Sequence, residues 1–213
     1  MKFGIAMLLL LSTTPAFGQL HGGDVELTVF NGQIMTDTRV YSADFGDTGI
    51  PNEIDEPGFD NLAGAFPIGS TIGFSIRDSL RKWNGADFNT IPVENLSVSV
   101  GTSLGPITTP ATPGIVAGFN LNVAGDGSWH RHYDFMLNSP ASTGVYLLQL
   151  DLDSSDVGIV PTDPFYIVFN QNGSETNHDN AIHYVETVIV PEPGSVAMLA
   201  ICALMLVARR YRR

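Results

Sequence analysis

The chain has 213 residues, 22 of them acidic and 10 basic, for a formal charge of −12 at neutral pH, with one cysteine. An excess of carboxylates this large argues against nucleic acid and anionic lipid headgroups as partners, because both would be repelled. A single cysteine excludes an intramolecular disulfide framework.

Lys2, the apolar run from Phe3 to Leu11 and the small-x-small sequence Ala16-Phe17-Gly18 have the order of a secretory signal peptide (residues 1–18), cut after Gly18. The Sec translocon and signal peptidase are the partners this implies. The next 172 residues, 19–190, are long enough for one exported domain with a real core. They hold 21 of the acids and five of the cations, for a net charge near −16. The cysteine, Cys202, lies outside them. The domain therefore has no thiol nucleophile or thiolate ligand and must cohere by burial and hydrogen bonding.

Asp24 to Phe30 alternates with period two, Val25, Leu27 and Val29 facing one way, and Asn31-Gly32 is a hairpin signal. Ile34 to Thr36 begins the return strand, and Arg39 to Phe45 reads as another. Gly46 to Asn61 carries five acids among glycines and prolines and reads as a long solvated loop, without the spacing of a helix-loop-helix calcium site. Thr71 to Arg77, Glu94 to Gly101 and Ile115 to Val123 alternate again, with Trp83 as a core anchor or capping aromatic between the first two and a Thr/Pro/Gly loop over Thr102 to Gly114. Ser128 to Leu137 reads as one strand, with Trp129, Arg131, Tyr133, Phe135 and Leu137 on one face and His130, His132, Asp134 and Met136 on the other. Val145 to Asp153 is a central strand, Phe165 to Asn170 follows, and Ile182 to Val190 closes the domain as a last strand. About nine strands between Gly/Pro/Asn/Asp turns, and no helix outside the two terminal signals, predict an all-β antiparallel β-sandwich, Ig-like or jelly-roll-like.

The last segment, residues 191–213, reads Pro191-Glu192-Pro193, an uncharged run from Gly194 to Ala208, then Arg209, Arg210, Tyr211, Arg212 and Arg213. Fifteen helical residues reach about 22 Å, short of a hydrocarbon core of about 30 Å, unless the arginines snorkel. A basic cluster after an apolar run stays cytoplasmic and would hold the domain outside. In this order, and with Val190 before the first proline, the segment resembles the PEP-CTERM sorting signal of exopolysaccharide-producing Gram-negative bacteria. That resemblance implies a transmembrane helix recognised and removed by an exosortase, and a mature protein at the cell surface or in the matrix, where exopolysaccharide is a partner. An ordinary single-pass anchor is the other reading of the same residues.

All five histidines, His21, His130, His132, His178 and His183, precede the tail. On a strand, His130 and His132 would share a face about 6.5–7 Å apart, close enough for both imidazoles to meet one ion, with Asp134 extending the row. A zinc site would need three or four such groups, with neutral imidazole as the donor. His178, Asp179 and His183, or His21 and Asp24, are the sources of further ligands, and surface histidines without a metal are the plainer alternative. Asp151, Asp153 and Asp156 would place three carboxylates in one turn as a second calcium candidate, or as a solvated turn. The runs Ser128–Phe135, Gly144–Leu150 and Asp163–Phe169 resemble the strand set of bacterial surface-anchored His-x-His β-repeat proteins, and His21-Gly22-Gly23-Asp24 matches their opening element. That resemblance implies metal handling.

No Gly-x-Ser-x-Gly, His-Glu-x-x-His or phosphate-binding glycine loop occurs. The first expectation is a non-enzymatic surface or matrix protein with a structural or adhesive role. A zinc-binding surface protein built on His130 and His132 comes second, and an extracellular hydrolase using paired carboxylates comes last.

Overall fold

The structure is a computed structural model and describes residues 23–191. It is mostly β-sheet. In chain order the strands are β1 (Val25–Phe30), β2 (Gln33–Thr36), β3 (Val40–Asp44), β4 (Glu53–Ile54), β5 (Phe59–Asp60), β6 (Thr71–Ile76), β7 (Arg81–Lys82), β8 (Leu96–Val100), β9 (Leu104–Thr108), β10 (Val116–Asn122), β11 (Asp134–Leu137), β12 (Gly144–Ser154) and β13 (Phe165–Gln171). One helix, α1 (Glu175–Tyr184), follows and runs into a π-helical turn, Val185–Ile189. The signal peptide with its cleavage site, His21, and the tail from Glu192 through the four arginines lie outside the described residues. Among the described residues no helix is long and apolar enough to cross a membrane.

The strands form three sheets, ordered β2-β1-β5, β10-β6-β12-β13-β3 with β7 also on β12, and β4-β11-β8-β9. The long strand β12 lies between β6 and β13, and its run Val145–Leu148 is continuously apolar because both faces are buried there, Tyr146 and Leu148 in the main core and Val145 and Leu147 in a second cluster under α1. Asn31 and Gly32 both have positive φ (51° and 79°), the conformation a two-residue hairpin between β1 and β2 demands. One core joins the three sheets. It centres on Phe59, Phe74, Trp129, Tyr133, Phe135, Phe165 and Phe169, all almost fully buried. Phe59 is its post, with ring centroids 5.9 Å from Trp129, 5.2 Å from Tyr133 and 6.1 Å from Phe165.

Several expectations are corrected. The sheets are not wholly antiparallel, since β1 runs parallel to β5 and β3 parallel to β13. The expected last strand, Ile182 to Val190, is helical. Ser174 caps the helix by accepting from the Asn177 amide, and Ala181 and Val185 bury against Val145 and Val168 of the sheet. Tertiary burial outweighs the β-branched character of that run. The expected strand Ser128 to Leu137 is regular only over β11; residues 128–133 form no regular strand, and their one ladder pairing is the bridge from Arg131 to Phe59. The Thr/Pro/Gly loop contains β9, and the acidic loop contains β4 and β5. In β10 the alternation is broken by a register shift between Ala117 and Asn120, so Ile115 and Ala117 face solvent while Phe119 packs inward. A Cβ on Gly118 would stand 2.5 Å from the Phe74 ring, so the bulge is fitted to that aromatic.

Candidate metal centre

Three chain segments lie side by side at one end of the small sheet. The Val25 amide donates to the Gly58 carbonyl at 2.8 Å, and β1 runs parallel to β5 from that point. Beyond β5, Phe59 and Arg131 exchange both backbone hydrogen bonds, at 2.8 and 2.9 Å. The Trp129 amide donates to the Asn61 side-chain oxygen at 2.7 Å. Trp129 and Tyr133 are buried as anchors on either side of this bridge. An extended chain pinned at 129, 131 and 133 turns residues 130 and 132 the other way, and there they meet Asp24, the residue before β1.

The Asp24 side chain is 3 % exposed, while those of His130 and His132 are 41 % and 33 % exposed. Asp24 Oδ2 lies 3.9 Å from His130 Nδ1 and 4.0 Å from His132 Nε2. The two imidazole centroids are 5.1 Å apart at an interplanar angle of 60°. The three residues offer ligand atoms all within 4.8 Å of one another. His132 Nδ1 sits 3.0 Å from the Asp55 carbonyl oxygen, which can only accept. That bond places the ring proton on Nδ1 and leaves the neutral-ring lone pair on Nε2, facing Asp24, as the outer partners of metal-ligating histidines do. Further acids surround the pair: Asp60 Oδ1 is 3.4 Å from His130 Nδ1, and Glu56 Oε1 is 3.7 Å from His132 Nδ1. Around a tetrahedral zinc ion, donor atoms at about 2.0–2.1 Å stand about 3.4 Å from each other. The two separations from Asp24 Oδ2 would need to contract by roughly half an ångström, within reach of small side-chain rotations.

Gly58 completes the cradle. A Cβ there would stand 2.5 Å from His132 Cε1, 2.7 Å from His132 Nε2 and 2.8 Å from Asp24 Oδ1. Its φ is not in the left-handed region, so glycine is required here by space and not by backbone conformation.

His130 and His132 thus come together as the sequence pattern suggests, but Asp134 is not in their group. It lies in β11, and its Oδ2 accepts from the Gly101 amide at 2.6 Å. The carboxylate beside the histidines comes instead from Asp24, more than a hundred residues earlier, with Asp60 and Glu56 from the acidic loop. Asp24 is legible as a residue of the domain's N-terminal end. Nothing local in the sequence marks Asp60, Glu56 or Gly58, because the parallel pairing of β1 with β5 decides their position. His178 is buried under α1 with Nε2 3.0 Å from the Val168 carbonyl, and His183 is exposed on the same helix; neither joins this group. The three carboxylates offered as a second calcium candidate do not share one turn. Asp151 and Asp153 lie in β12, Asp151 pairs with Arg77 at 3.2 Å, and Asp156 accepts from the Gly158 amide in its own turn. Burial, opposed by Arg77 and helped by Asp153, pushes the Asp151 carboxyl above the ordinary aspartate range. In the acidic loop, burial and then the neighbouring Asp134 and Asp55 push Glu53 upward.

No family model, curated protein or solved structure matches the chain. What the site can hold therefore follows from its geometry and donor chemistry.

Proposed function

We propose that this is an exported, non-enzymatic β-domain of the bacterial cell surface or matrix, delivered by an exosortase-recognised tail, and that it carries a zinc-class divalent ion on Asp24, His130 and His132. The observation that supports the metal is the convergence of His130 Nδ1, His132 Nε2 and Asp24 Oδ2 from segments far apart in sequence, with the His132 tautomer set by the Asp55 carbonyl. Two imidazoles and a carboxylate suit zinc better than calcium, which prefers six or more oxygens. Such an ion would fasten the beginning of the exported domain to its core, a useful staple for a chain that has no disulfide in this part. A structural or adhesive role is the reading we favour for the domain as a whole, and three sheets that share one core support a sandwich fold, Ig-like or jelly-roll-like in outline.

Zinc binding by the full-length protein, measured by competition with a chromogenic chelator, tests the site. The parent is expected to bind at micromolar affinity or tighter, and His130→Ala with His132→Ala to lower the bound zinc by one equivalent. An unchanged stoichiometry and affinity in that double variant would remove the assignment. The mass of the protein recovered from its host tests the sorting: the expected product begins at Gln19 and lacks the run after Pro193. An intact mass containing Cys202 would leave the plain-anchor reading in place.

A further inference from the structure

We propose that Asp44, Glu175 and His178 form a second divalent-metal site, independent of the first, which clamps α1 to the edge of the large sheet. Asp44 is the last residue of β3, the edge strand, and pairs with Asn170 of β13. The Asn170 side chain works in both directions there. Its Nδ2 donates to Asp44 Oδ1 at 2.8 Å, and its Oδ1 accepts from the Gly173 amide at 2.9 Å. The turn leaving β13 is thereby folded back beside Asp44, and α1 starts at the next residues. Glu175 and His178 are three positions apart in α1 and so share a helix face. The three residues present ligand atoms all within 4.8 Å of one another.

His178 makes this more than a pair of acids near a helix end. It is 4 % exposed, yet it occupies a helix whose other buried residue is Ala181, beside a cluster of Val145, Val168 and Val185. An aliphatic residue would fill that place without needing a polar partner. Because the Val168 carbonyl at 3.0 Å only accepts, Nε2 carries the ring proton and Nδ1 is the lone-pair nitrogen an ion would take. A histidine held by one nitrogen on a backbone carbonyl, with carboxylates close by, is the usual arrangement of a metal ligand. The start of α1 carries a partial positive charge of about half a unit, which opposes a cation. Two full carboxylate charges outweigh it. Two oxygens and one imidazole nitrogen suit zinc or manganese. The effect would be mechanical: a ten-residue helix is too short to persist in isolation, and an ion shared with β3 would hold it on the sheet.

The test is a zinc titration of the full-length protein, stripped beforehand with a chelator, in four forms. The parent is expected to bind two equivalents. His130→Ala with His132→Ala should retain one, Asp44→Asn with Glu175→Gln should retain one, and the combined variant should bind none. Asn and Gln keep the size of the residues they replace, and the amide oxygen that Asp44→Asn retains can still accept from Asn170, so folding is preserved. Hydrogen exchange of the α1 amides provides a second reading and should slow at least several-fold on adding zinc to the His130→Ala/His132→Ala form. If Asp44→Asn with Glu175→Gln binds as much zinc as the parent, or if the His130→Ala/His132→Ala form binds none, the second site is wrong whatever becomes of the first. Conversely, zinc lost only with Asp44 and Glu175 would leave this site standing and remove the other.

Discussion

Gly58→Ala is the sharpest perturbation of the proposed Asp24–His130–His132 site, because it adds one methyl group and changes none of those three side chains. The new Cβ would lie 2.5 Å from His132 Cε1 and 2.7 Å from His132 Nε2. Ordinary contact for such atoms is about 3.4 Å or more, so the imidazole must retreat by roughly 0.7–0.9 Å. The backbone at Gly58 imposes no further strain, and the His132 ring is a third exposed, so it can swing outward. The buried Asp24 carboxylate, 2.8 Å from the new Cβ, must shift as well, so the cost to the fold should be about 1–3 kcal/mol, the usual range for overpacking. Coordination is far less forgiving, since ligand distances hold to about 0.2 Å. A displaced Nε2 leaves His130 and Asp24 alone, and zinc affinity should fall by roughly 100-fold or more. The assay is thermal unfolding of parent and variant, each with and without zinc. At a free concentration about 100 times its dissociation constant, zinc should stabilise the parent by about 2.7 kcal/mol, raising Tm by roughly 5–10 °C. With the first site's contribution isolated in an Asp44→Asn/Glu175→Gln background, the Gly58→Ala form should show almost no rise at the same zinc. Equal zinc-induced shifts in the two forms would refute the idea that Asp24 and His132 converge on an ion beneath residue 58.

Two further changes test the scaffold. Phe59→Ala removes the ring that stands between Trp129, Tyr133 and Phe165 and should cost about 3–5 kcal/mol in a urea titration; a loss under about 1 kcal/mol would mean the ring is not a post of the core. Glu94 supplies the pH test. Burial pushes its carboxyl up, but the hydroxyl and amide of Ser142, its own amide and nearby Lys82 outweigh that and hold it below the ordinary glutamate range. A lowered folded-state value contributes stability above the unfolded glutamate pKa, and that contribution is lost as pH falls through the folded value. Ser142→Ala should therefore destabilise most at neutral pH, with the gap to the parent narrowing toward pH 3. A gap that stays constant from pH 7 to pH 3 would show that the Ser142 hydroxyl does not act through the Glu94 charge.

Reading the sequence alone succeeds where a segment's neighbours are its own periodicity. The alternation in Val25–Phe30 and Thr71–Ile76, the Asn31-Gly32 turn and the continuous run in β12 all report local geometry and burial, and the structure has strands and a hairpin there. It fails where a distant contact overrides that pattern. The Val- and Ile-rich run after Ile182 is β-prone, yet capping by Ser174 and burial of Ala181 and Val185 make it helical. Ser128–Tyr133 alternates as a strand should, but only Arg131 finds a ladder partner there.

The candidate centre divides along the same line. The His-x-His spacing by itself determines that two imidazoles emerge on one side of an extended segment, because alternation is a property of the backbone. The absence of cysteine before Cys202 likewise rules out thiolate from composition alone. Which carboxylate they meet is a different matter: Asp134 is two residues away in sequence, yet its oxygen is committed to the Gly101 amide. Asp24 reaches the histidines because β1 lies parallel to β5 and β5 bridges to Arg131, and such long-range pairings are set by the burial of Phe59, Trp129 and Tyr133 in one core rather than by any neighbour in the chain.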